Sequence, residues 1–544
     1  MKALAPLGAL AIVLLSLPLL GGCGNGGGGG GGGFSSRKTG NESGATVFRY
    51  PIVTAPTTLD PQKTQDGDTL DVVQQVFEGL VKWGEDNKVQ PNLAEKWTLD
   101  PAGTLYTFKL RPNVKFSNGR TMTADDVKFS FERACDPKFA SPTAGTYLSD
   151  IVGVRERLAG TAKEISGVKA VDPTTVTIQI DKTRPYFLGK LTYACAYVVA
   201  KEAVGADGAT MTKAEQMIGT GPFVFDTIDP NRLVTLKAFK DYHEGAPKVD
   251  RIERPVVLDA VTRLNMYKQG QVDLIPLERQ DVKAIQADEK LKGDLKFFDR
   301  PSTWYVGLNC DMIPALKDRR VRRALAMAVD RKTIVDGVLG GQNVIATCIV
   351  PPGVVGHRDN VAGLPYDVAS AKALLAQAGY PGGKGMPEIE LSYRDGRPDV
   401  ELVAQALQQQ WKETLGVNLT LQKREWGSYL LKQNKKQLPA YHMRWAADYL
   451  DAENFLSTLL ASYGGENKIN YKNEQYDALC RQADTILDEA KRKELYAQAE
   501  DIVLQDAPFI PIYFQRDAEL IRGNVKGLRE SLFGHLPHTT VSVN

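Results

Sequence analysis

The segment "MRWAADYLDAENF" (443–455) contains the residue whose chemistry most needs an explanation. Asp448 lies between the aromatics Trp445 and Tyr449 in a weakly polar run. An unpaired carboxylate is costly to bury, so either Asp448 faces water or something positive comes to meet it.

Catalytic patterns are absent elsewhere. GxSxG and HExxH do not occur, and "GYPGGKG" around Lys384 lacks the spacing of a phosphate loop. The five histidines (His243, His357, His442, His535 and His538) are dispersed and read as surface or satisfied core residues. Asp125 and Asp126 are accounted for as charges at a helix N-terminus, and Arg319, Arg320, Arg322 and Arg323 as a solvated helix face. There is no CxxC and no Cys/His cluster at zinc spacing, so neither a metal nor a cofactor is expected. Binding outranks catalysis.

The elements that must position Asp448 are legible from periodicity. "DVVQQVFEGLVKW" carries Val72, Val73, Val76, Phe77 and Leu80 at helical spacing. "TLYTFKLRPNVKFSNGR" alternates as two strands, with a turn at Ser117-Asn118-Gly119. Thr123 reads as the N-cap of a helix in "TMTADDVKFSFERA". Strands are expected at "TTVTIQI", "IGTGPFVFDTI", "TWYVGLNC", "VNLTLQKREW" and "APFIPIYF", and amphipathic helices at "VELVAQALQQQWKETLG" and around 476–504. Separated strands and helices of this kind indicate an α/β protein with more than one sheet. Nothing past residue 46 resembles an interdomain linker, so the chain is expected to cross repeatedly between domains.

At 544 residues, 43% hydrophobic and 24% charged, the chain is ordinary in composition and too long for one core. Lys+Arg 67 against Asp+Glu 65 gives a formal charge of +2, which implies no nucleic-acid partner. The opening "MKALAPLGALAIVLLSLPLLGGC" has one Lys, an apolar run and small residues before Cys23, the layout of a secretory signal over residues 1–22. "LGGC" resembles the lipobox of bacterial lipoproteins, which implies a lipidated Cys23. Residues 23–45, with unbroken glycine from Gly26 to Gly33, read as a flexible tether with a reach of roughly 25 Å. The GxGxxG that these glycines satisfy has no preceding strand and is discarded.

Along the chain, "LDP" (59–61), "VFEGLV" (76–81), "PNLAEKW" (91–97), "YTFKLRPNVKFSNG" (106–119), "TADDVKFSFER" (123–133), "GTGPF" (219–223), "DRRVRRALAMAVDR" (318–331) and "AKALLAQAGY" (371–380) occur in order. Together they resemble the family 5 solute-binding proteins of ABC importers, which include oligopeptide- and dipeptide-binding lipoproteins. The resemblance implies a three-domain periplasmic-binding-protein-like clamshell (class II, type C-like) that closes by hinge motion. The expected parts are a discontinuous lobe I (46–65, 219–303 and 506–544), an insert domain II (66–218) and a lobe III (304–505). Hinge crossings are placed near 302–307 and 505–511. Disulfides within the lobes, Cys135 with Cys195 and Cys310 with Cys348, suit an exported chain.

In peptide-binding members a W-x-x-D segment carries the Asp that pairs with the ligand's α-ammonium, which here matches Trp445 and Asp448. Their "D-Y-x-[DE]-P-x-x-F" is matched by "DYLDAENF", with Ala452 in place of Pro. Backbone groups of Arg444, Ala446 and Ala447, beside Tyr449, then extend the ligand as an added strand. Dipeptide-specific relatives carry an Arg near the positions of Glu401 and Leu402. Neither is basic here, and Arg394 and Arg397 are the nearest substitutes, which favours longer peptides. The implied protein is a monomeric, lipid-anchored receptor on the outer face of the bacterial cytoplasmic membrane. It delivers peptides to a permease whose ATPase is a separate chain. A non-peptide solute such as a sugar, metal chelate or cationic small molecule, or a sensing role without transport, are the alternatives.

Overall fold

A computed structural model describes residues 44–544 apart from Thr57 and residues 205–207. The signal segment, Cys23 and nearly all of the tether lie outside the described residues.

The largest sheet is organised by two long strands, Leu295–Leu308 and Phe509–Ile521, paired antiparallel along their length. At one end Phe509–Ile521 pairs with Leu274–Pro276; at the other, Leu295–Leu308 pairs with Ala440–Ala446, which leads on to Ile389–Arg394 and Leu419–Arg424. The ladder slips between Asp299↔Arg516 and Thr303↔Phe514, so that Arg300, Pro301 and Ser302 oppose Gln515 alone. Extra residues on one strand bend it, and Pro301 has no N–H to give to the ladder. The bend falls at the edge of the first expected crossing, whereas 505–511 holds the end of helix Glu489–Asp506 and the start of a strand.

A second sheet runs Val47–Arg49, Arg251–Pro255, Leu233–Ala238 and Phe223–Asp229, and a third Ala94–Leu99, Leu105–Leu110, Thr175–Gln179 and Val168–Asp172. Helix Ala124–Ala134 packs beside the third sheet. Asp126 Oδ2 accepts from the Thr123 backbone N–H at 2.8 Å, closing the first turn. Helix Pro398–Leu415 buries Val400, Val403, Leu407 and Trp411 and ends at Gly416, whose φ of 70° suits a residue without Cβ.

Several sequence expectations are corrected. The first apolar run is helical only over Gly67–Val73. Val76, Phe77 and Leu80 are fully buried but lie outside the helix, in a turn and the irregular segment after it, where the backbone carbonyls are taken by other segments: Gly221 N donates to Val76 O (2.8 Å), Val198 N to Glu78 O (2.8 Å) and Ala94 N to Leu80 O (3.0 Å). "GTGPF" makes this approach possible, since a Cβ on Gly219 would lie 2.0 Å from Val76 O. Arg322 is buried, donating to the Leu316, Lys317 and Asp506 carbonyls, whereas Arg319 and Arg320 are exposed. Cys135, Cys195, Cys310, Cys348 and Cys480 are all free thiols, so neither expected disulfide is formed. Cys310 packs in the Phe509/Tyr305 cluster and Cys348 in a separate one with Phe514, which keeps that pair apart.

Candidate functional site: a charged cleft around Asp448

The strand Ala440–Ala446 is paired on one edge with Leu295–Leu308 along its full length. On its other edge Ile389–Arg394 reaches only Ala440 and Tyr441. From His442 to Ala446 that edge has no strand partner among the described residues, a ready template for an added strand. The strand leads directly to Asp448.

A cavity of about 1060 Å³ opens beside it. One wall is built from Arg444, Ala446, Ala447 and Asp448 with Ser302 and Gln515; the facing wall includes Asp66, Trp83, Tyr147, Tyr193 and Arg254. Ten Asp and Glu residues line it against six Lys and Arg, so the space as a whole favours cationic groups.

Asp448 is held by neutral donors. Tyr147 OH donates to Oδ1 at 3.1 Å, and Asn454 Nδ2 to Oδ2 at 3.3 Å. Asn454 Oδ1 accepts from both the Asp448 N–H (3.1 Å) and the Trp445 indole N–H (3.0 Å), so one amide locks the W-x-x-D turn. Burial pushes the Asp448 carboxyl above the usual carboxylate range, opposed by those two hydrogen bonds and by Lys190. Lys190 is itself bonded to Asp150 at 2.6 Å. Among the described residues no cation forms an ion pair with Asp448. Beside it the Tyr147 and Tyr193 rings stack at 4.0 Å, giving a carboxylate with aromatic faces at hand, a setting suited to an ammonium ion.

The remaining expected site residues divide. Arg444, Ala446, Ala447 and Arg397 line the cavity with Asp448. Trp445 points to the other face of its strand, onto Asn454. Tyr449 is buried against Tyr186 (5.2 Å, near-parallel rings) and donates to Glu453, so it packs against a segment distant in sequence and does not line the cavity. Arg394 lies over the Trp426 ring, 4.4 Å from its centroid, away from the cavity. Tyr147, Tyr193, Asp66, Asn454 and Gln515 were not anticipated. Only Asn454, inside the quoted segment, carried any local signal; the others come from distant segments that only the fold brings together.

A large cavity, an open strand edge and a buried carboxylate without an ion pair among the described residues suit a solute-binding protein of the clamshell class. The chain belongs to family 5 of the bacterial extracellular solute-binding proteins, whose model ("Bacterial extracellular solute-binding proteins, family 5 Middle") matches residues 88–467. It is 37% identical over 491 residues to the probable deoxycholate-binding periplasmic protein YgiS of Escherichia coli, covering 88% of this chain and 90% of that one. It is 31% identical over 521 residues to heme-binding protein A of Haemophilus influenzae, covering 92% and 93%. The unliganded open form of the periplasmic murein tripeptide-binding protein MppA superimposes with a TM-score of 0.80 at 27% identity, over 92% of this chain and 98% of that one. Members of this family are substrate-binding receptors working with ABC-transporter permeases, not enzymes. No helix among the described residues is long and apolar enough to cross a membrane.

Proposed function

We propose that this protein captures short peptides in its cleft through their free α-amine and presents them to an ABC importer. The observation that carries this reading is Asp448: a cavity-lining carboxylate with neutral hydrogen-bond donors, no ion pair among the described residues and an open strand edge next to it. Closure around the ligand would exclude water and strengthen an ammonium–carboxylate pair. The open edge would hold the peptide backbone without regard to side chains. The hinge is assigned to the bend at residues 300–302, between a discontinuous lobe I with its insert (66–218) and lobe III (304–505). The expected lipid on Cys23 would tether a monomer to the outer face of the cytoplasmic membrane.

A second reading is favoured by the similarity to YgiS, described as deoxycholate-binding. In that case the ligand is an amphipathic acid, and its partner is a cation of the cleft in place of Asp448. Calorimetric titration of the chain from residue 46 onward with a tri- to hexapeptide pool, and separately with deoxycholate, distinguishes them. Heat from the peptides supports peptide capture; heat from deoxycholate alone overturns it.

A further inference from the structure

A second cavity, of about 440 Å³, lies apart from the cleft and shares no lining residue with it. Its walls are the turn after helix Arg319–Met327, the strand Val344–Ile345, the loop 362–366 and the segment from Leu504 to Pro511. Leu364, Leu504, Phe509 and Ile510 are buried and give it an apolar interior, whereas Ala362 and Tyr366 are exposed and mark its mouth. Arg331, the last residue of "DRRVRRALAMAVDR", also lines it. This side chain is half-buried and held between two of the walls: Nε donates to the Pro511 carbonyl at 2.7 Å and Nη1 to the Leu364 carbonyl at 3.3 Å. Among the described residues it makes no other hydrogen bond and no ion pair with a carboxylate, so the N–H groups of Nη2 are left over. Burial pushes the guanidinium down to about 10, with no acidic neighbour to offset it. The other charged lining residues are committed elsewhere. Asp330 accepts from the Thr333 N–H at 3.0 Å and its hydroxyl at 2.7 Å, and Lys332 is paired with Asp336.

We propose that this cavity is a second ligand site, which takes a small amphipathic monocarboxylate with its hydrocarbon body against Leu364, Leu504, Phe509 and Ile510 and its carboxylate on Arg331. Apolar walls with one fixed polar group, in a space of this volume, are the usual make-up of a small-molecule site. The apolar interior holds water poorly, which favours a hydrocarbon occupant. A guanidinium fixed by its other nitrogens presents Nη2 to a carboxylate without further ordering, and the charge-assisted bond restores the solvation that the wall removes. The site is independent of the peptide reading, because none of its residues belongs to the cleft.

The test is methyl NMR of the isoleucine-labelled chain from residue 46 onward, titrated with octanoate and, separately, with octanol. Ile345 and Ile510 report on this cavity and Ile52 on the cleft. Octanoate is expected to shift the Ile345 and Ile510 methyl resonances along one binding curve and to leave Ile52 unmoved. Octanol, which lacks the charge, should bind on the order of 10- to 100-fold more weakly. Arg331→Gln should weaken octanoate by a similar factor and leave octanol unchanged. Because Arg331 also bonds two carbonyls, a second variant guards against misfolding: Ala362→Trp, at an exposed position, closes the mouth and should abolish the Ile345 and Ile510 shifts. Shifts confined to Ile52, or no shift with either probe, overturn the site. Equal affinity for octanoate and octanol in wild type overturns the carboxylate assignment, and so does octanoate affinity unchanged by Arg331→Gln.

Discussion

Asp448 is a buried carboxylate held by neutral donors, at some electrostatic cost. Because burial raises its pKa, its ionised form, the one that the proposed amine recognition requires, is lost earlier on acidification than for an ordinary Asp. Affinity for amine-bearing ligands should therefore begin to fall above the pH at which a solvated carboxylate protonates, while Asp448→Asn, already weak, shows a flat profile; titrations from pH 7 downward check this. Glu453 offers a second residue-scale test. Burial, with Asp484 nearby, pushes its carboxyl up to about 8. The folded state thus holds a proton that the unfolded chain releases near pH 4.5. That contribution is complete below the unfolded value and is lost as pH rises towards about 8. Glu453→Gln keeps the hydrogen-bonding shape without the titration, so its urea midpoint should fall less than that of wild type between pH 5 and about 8.

At the scale of elements, a sequence word that carried the family resemblance can be a packing constraint and not a site. "GTGPF" is the clearest case, because Gly219 and Gly221 lie against the Val76 backbone where no Cβ fits. Gly219→Ala should destabilise the fold by about 1–3 kcal/mol in urea denaturation, the usual cost of overpacking, without altering ligand contacts. Strands and helices whose own periodicity dominates, such as Thr175–Gln179 and Pro398–Leu415, were legible from the sequence. The stretch 74–80 was not: its apolar spacing imitates a helix, but its backbone partners lie in other segments, at Leu93 and Ala94 and, more than a hundred residues away, at Val198, Gly221 and Phe223. The bend at residues 300–302 was only approached, because a ladder slip depends on which partner residue is opposite, and no local pattern encodes that.

For the whole molecule, buried histidines shape the pH response. His442 and His538 are pushed down by burial to about 4 and about 3, so the folded state excludes protons that the unfolded chain accepts, and stability is lost as pH falls below about 6.5. His535, bonded to Glu519 at 2.8 Å, is instead raised to about 9, and its contribution is lost as pH rises from about 6.5 towards that value. With Glu453 acting in the same direction, thermal stability should peak near about pH 6.5; a monotonic rise to pH 9 would contradict these assignments. The cleft shows the same division of legibility. Asp448 was readable because its segment is local. The facing wall was not, because Asp66, Tyr147 and Tyr193 meet Asp448 only through the fold.

The central claim is that Asp448 recognises a free amine. A calorimetric cycle tests it most directly, titrating a tripeptide and its N-acetylated form into wild type and Asp448→Asn. Acetylation and the substitution should each cost about 2–5 kcal/mol, and the two together scarcely more than either alone. Independent, additive losses, or full affinity for the acetylated peptide in wild type, would contradict the account.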